Sequence, residues 1–123
     1  EGDPQLKHER KRIHQEFLEG DGHSVEDASV VITNPSHLAI ALSYREDLDQ
    51  APKIIAKGSG RDAQLLKRKA ERALIPVIRN VSLARDLMWL EINEEIPEHL
   101  YDAVAEVLTF IYELNRKQAE GEL

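Results

Sequence analysis

The sequence predicts an α/β protein: a single mixed sheet of about four strands surrounded by helices, with an N-terminal charged linker helix. Three observations predict it. Short apolar, β-branched runs recur at Ser29–Thr33, His37–Tyr44, Lys53–Lys57 and Pro76–Asn80, each of strand length. Segments of helical apolar spacing follow them, the longest carrying Leu100, Val104, Val107, Leu108, Ile111 and Leu114. The chain has 123 residues, enough for one core but not for two.

Taken in order, Gln5–Leu18 is highly charged, with Leu6, Ile13, Phe17 and Leu18 as its few apolar positions. It reads as a solvated helix with a thin apolar stripe. Its run His8-Glu9-Arg10-Lys11-Arg12 suggests a phosphate or lipid-headgroup contact, although the interleaved acids favour a plain solvated face. Gly20–Ser24 breaks the helix as a loop, which divides the chain into a linker over 1–24 and a domain over 25–123.

So few residues separate the first two strands that they must pair, if at all, as an antiparallel hairpin. In the second strand Leu38, Ile40 and Leu42 point one way and Ala39 and Ala41 the other. Arg45–Pro52 is a polar loop. Gly58-Ser59-Gly60 opens a helix running through Ala73, with Ser59 as N-cap and Asp62 in the first turn. A glycine-rich turn of this kind can cradle a phosphate, but neither GxGxxG nor a P-loop lysine pattern accompanies it. Strand, helix and strand from Lys53 to Asn80 make a parallel βαβ unit. Ser82 caps a short helix from Leu83 to about Leu90, and Ile96-Pro97 opens the terminal helix. Trp89, Tyr101, Phe110 and Tyr112 read as packing residues.

Composition narrows the function. Hydrophobic content is 41% and aromatic content 5%, so Leu, Ile, Val and Ala must fill the core. The absence of cysteine removes disulfides and thiolate chemistry and fits a reducing compartment. A net charge of −7 argues against a general nucleic-acid binder. His8, His14, His23, His37 and His99 lack metal-ligand spacing, and no cofactor motif is present. Glu94, Glu95 and Glu98 complement a helix start rather than forming a catalytic acid pair. No apolar run approaches the ~20 residues that span a bilayer. The chain starts at Glu1-Gly2-Asp3-Pro4 and reads as a processed or excised soluble piece.

The chemistry lies in Asn34-Pro35-Ser36-His37, directly after the first strand. An ordinary asparagine is lost when the next backbone nitrogen attacks its side chain, and proline's nitrogen carries no hydrogen for that route. The reverse attack stays open, with the Asn34 side-chain nitrogen closing on its own carbonyl and expelling Pro35. His37 is suited to proton transfer, because an imidazole titrates near neutrality. Ser36 offers a hydroxyl to the carbonyl under attack. The plain alternative is a turn, which Asn-Pro commonly opens.

Val30–Leu42, with Asn-Pro-Ser-His at its centre, resembles the autocleavage region of the FlhB/YscU family, the specificity-switch proteins of type III secretion export gates. Ala51–Gly58, Ile75-Pro76, Leu83–Leu87 and Ile96–Leu108 follow in the family's order. The usual motif is Asn-Pro-Thr-His, so Ser36 keeps the hydroxyl but loses the methyl. The resemblance implies the cytoplasmic domain of an inner-membrane export protein, reached through the linker from a membrane part upstream. Asn34 would cyclise, Pro35 would leave, and Ser36 and His37 would assist, with no cofactor and no metal. Pieces 1–34 and 35–123 would stay associated. Expected partners are secretion substrates, a length-control protein and other export-apparatus proteins, with no nucleic acid. The resemblance implies single-turnover autoproteolysis at Asn34-Pro35 only, and not multiple-turnover enzymology. Two alternatives stand beside it: a non-cleaving docking module of the same fold, and a lipid or nucleic-acid binder acting through Lys7, Arg10, Lys11 and Arg12.

Overall fold

The computed structural model describes residues 25–35 and 37–121. The expected linker helix and its basic run lie outside them. Four strands form one mixed sheet in the order β3-β2-β1-β4. They are β1 (Val30–Asn34), β2 (Leu38–Ser43), β3 (Lys53–Ser59) and β4 (Val77–Arg79). β1 and β2 make the antiparallel hairpin, β2 and β3 pair antiparallel, and β4 runs parallel to β1. β3 and β4 are therefore parallel to each other, as the βαβ reading expected, but two strands lie between them.

Helices cover both faces of the sheet: α1 (Arg61–Arg72) on one, α2 (Val81–Met88) and α3 (Tyr101–Gly121) on the other. The alternation in β1 and β2 decides which side chain meets which helix. Val30, Ile32, Ile40 and Leu42 pack with Leu83 and Leu87 of α2 and with Val104, Leu108 and Ile111 of α3. Val31, Ala39 and Ala41 face Ala63, Leu66 and Ala70 of α1. Small alanines on that side let α1 lie close to the sheet. A register shift in the β2–β3 ladder at Ala41/Leu42 puts Ile54 on the α2–α3 face, while Ile55 and Ala56 both face α1.

Several local expectations need correction. Ser59 does not cap α1, because it still belongs to β3 and pairs with Leu38. The N-cap is Gly60, with no side-chain bond. Gly58 explains how the helix can start so soon: a Cβ there would sit 2.8 Å from Asp62 Cβ. α2 begins at Val81 and is capped by Asn80, whose Oδ1 accepts from Leu83 N–H at 3.1 Å, so Ser82 is already helical. Ile96-Pro97 leads first into a 3-10 turn, Glu98–Leu100. The stripe of α3 is buried only through Ile111, and Leu114 is exposed. Trp89, Tyr101, Phe110 and Tyr112 are all exposed and do not build the core. Among the described residues no helix is long and apolar enough to cross a membrane.

Candidate functional site

Asn34 is the last residue of β1, half-buried and paired with Leu38 at the end of the hairpin. Pro35 and His37 follow it into solvent. The His37 backbone N–H donates to the Asn34 carbonyl oxygen at 2.9 Å and closes the turn. That oxygen belongs to the carbonyl of the Asn34–Pro35 bond. A donor placed there withdraws electron density and stabilises negative charge if a nucleophile adds to the carbon. Sequence reasoning assigned this role to a side chain and missed the backbone donor, although any four-residue turn offers one. Ser36 lies outside the described residues.

Two further backbone bonds fix the flanks. Asn80 N–H donates to the Thr33 carbonyl at 2.9 Å, where β4 passes into α2, and Gly60 N–H donates to the His37 carbonyl at 3.0 Å. The junctions β4–α2 and β3–α1 thus converge on the loop between β1 and β2. At the far end of the hairpin, Ser29 Oγ donates to the Tyr44 carbonyl at 3.2 Å and accepts from Tyr44 N–H at 3.0 Å.

Elsewhere, the Lys57 ammonium donates to the carbonyls of Met88 (3.0 Å) and Leu90 (2.6 Å), where α2 ends. This satisfies the Met88 carbonyl, which the helix end leaves without an intrahelical partner, and the Leu90 carbonyl in the loop just beyond it. Burial pushes the Lys57 pKa down, and Glu91 and Glu94 partly offset the shift. A cleft of about 190 Å³ opens between the β2–β3 loop and α3, lined among others by Tyr44, Ala51, Pro52, Tyr101, Ala105 and Leu108. Beside Tyr44, the Tyr112 hydroxyl is pushed up by burial, then by Glu46 and Tyr44. No group of three or more His, Asp or Glu able to hold a metal ion occurs among the described residues.

A family model described as the FlhB HrpN YscU SpaS family matches residues 1–111. The chain belongs to this family. It is 38% identical to the flagellar biosynthetic protein FlhB of Yersinia enterocolitica, over 100% of this chain and 33% of that protein. It is 37% identical to the hypersensitivity response secretion protein HrcU of Ralstonia nicotianae, over 98% of this chain and 34% of that protein. The crystal structure of the cytoplasmic domain of FlhB from Shewanella putrefaciens superposes with a TM-score of 0.75 at 30% identity, covering 89% of this chain and 79% of that one. The chain spans about one third of the length of the curated relatives it matches. This family match bears out the resemblance read from the ordered motifs.

Proposed function

We propose that this chain is the cytoplasmic domain of a type III secretion export-gate protein at the inner membrane, and that it cuts itself between Asn34 and Pro35. In the cut, Asn34 Nδ2 attacks the Asn34 carbonyl carbon and gives up a proton. The bond to Pro35 breaks, and the proline nitrogen takes up a proton and leaves as a secondary amine. Residue 34 becomes a succinimide, which water later opens. His37 carries the proton between the two nitrogens, and Ser36 assists at the carbonyl. The observation that carries this reading is the hydrogen bond from His37 N–H to the Asn34 carbonyl, in a turn where proline blocks the ordinary asparagine route.

The cut serves a switch in export-substrate specificity. Freed from Asn34, the segment from Pro35 onward can re-aim and alter the surface offered to substrates, to a length-control protein and to other apparatus proteins. The cleft beside Ala51 and Leu108 supports a second reading, a docking module of the same fold that binds substrates without being cut. An Asn34→Ala substitution in the complete export protein, followed in cells, separates the two. Under the first reading early substrates continue to leave and late ones do not; unchanged export of both would leave only the docking role.

A further inference from the structure

We infer that Gly60 is a positioning residue for the self-cleavage, acting through the backbone of His37; this role rests on the self-cleavage reading above. Gly60 has φ 59° and ψ −124°, a region that L-residues avoid and glycine enters freely. In that conformation its N–H donates to the His37 carbonyl at 3.0 Å, one step beyond the last β2–β3 pair, Leu38–Ser59. The N–H of the same His37 donates to the Asn34 carbonyl at 2.9 Å. Both polar groups of the His37 backbone are therefore held, one by Gly60 and one by the bond to be cut. Fixing the first orients the second.

The position also makes a clean test, because a Cβ added at Gly60 meets nothing within 4 Å. Alanine there brings no clash, only the conformational penalty. That penalty exceeds the net worth of one backbone hydrogen bond, so the chain relaxes by turning the residue-60 N–H away from His37. The cleavage-competent population then falls, and the rate falls with it.

The experiment follows the appearance of the two pieces over time at 25 °C in the unaltered chain, in Gly60→Ala and in Arg68→Gly. Arg68 is an exposed position inside α1, so glycine there weakens the helix without touching the turn. Gly60→Ala should remain folded and cut roughly tenfold more slowly, while Arg68→Gly should cut at the unaltered rate. Equal rates in all three, or equal slowing in both variants, would overturn the role. An unaltered chain that stays whole would remove the self-cleavage reading and this role with it. If Gly60→Ala does not fold, amide exchange in the uncut Asn34→Ala chain decides. The Gly60 N–H should then be protected as strongly as the β2–β3 ladder; exchange at the rate of an open loop amide would overturn the inference.

Discussion

The Asn34 carbonyl is acted on from two sides, by proline's tertiary nitrogen through the bond and by His37 N–H through space. With that donor supplied by the backbone, the hydroxyl at position 36 becomes an accessory. Ser36→Thr should cut at a rate close to the unaltered chain, and Ser36→Ala should lose roughly tenfold at most, in a time course on denaturing gels. An Ala variant that does not cut at all would make the hydroxyl indispensable. A second residue-scale prediction concerns Lys57. Replacing it with Met leaves the Met88 and Leu90 carbonyls without their ammonium and should lower stability by about 1–3 kcal/mol, read from the midpoint of urea unfolding. Its pKa in the folded chain lies below the ordinary 10.5. In the interval just under 10.5 the unfolded chain therefore binds the proton that the native one releases, so stability rises with pH there. That rise should be absent from Lys57→Met. At this scale the sequence singles out the residues on which the proposed chemistry rests, since Asn-Pro excludes one reaction and leaves another. It did not show the capping choices. Asn80 and Ser82 are both good N-caps two positions apart, and only the pairing of Thr33 with Arg79 puts Asn80 at the helix start.

Among the elements, β1 decides what a cut can do. It sits inside the sheet between β2 and β4, with Val30, Val31 and Ile32 fully buried. A cut after Asn34 breaks its covalent link to β2 and leaves five ladder pairs and the Ser29–Tyr44 clasp intact. Ser29→Ala should weaken the hold of the two pieces by about 1 kcal/mol, measured as the urea concentration at which they separate. A different element carries strain with no visible return. Leu74, just past α1, has φ 62° and is 89% exposed. It closes the helix through Leu74 N–H to the Glu71 carbonyl and Ile75 N–H to the Ala70 carbonyl, a geometry that favours glycine. Leu74→Gly should stabilise the protein by about 0.5–1 kcal/mol, seen as a higher melting temperature. The strand faces were legible because alternation in Leu38–Leu42 admits one arrangement. The bulge was not, since Lys53–Lys57 reads as an unbroken strand and only the facing register of β2 shows the extra residue.

For the whole molecule, helices on both faces and a central β1 mean that two pieces made by the proposed cut could not part without opening the core. They should co-migrate under native conditions, and fragment release should coincide with loss of secondary structure during unfolding. Release well before unfolding would contradict the fold-wide role of β1. The aromatic residues make the complementary point. They look like core material in the sequence, yet the aliphatic residues fill the core and Trp89 is 84% exposed. Size and hydrophobicity suggested burial, and nothing local showed that α2 turns Trp89 to solvent. As the only tryptophan, it should emit at long wavelength and be quenched readily by iodide.

Self-cleavage is the central claim, and the most direct test is the intact mass of fresh protein under denaturing conditions, beside an Asn34→Ala control. Two species, with the larger beginning at Pro35 and both absent from the control, is the predicted result. A single species of 14.0 kDa in both samples would contradict it and leave Asn34-Pro35 as a turn.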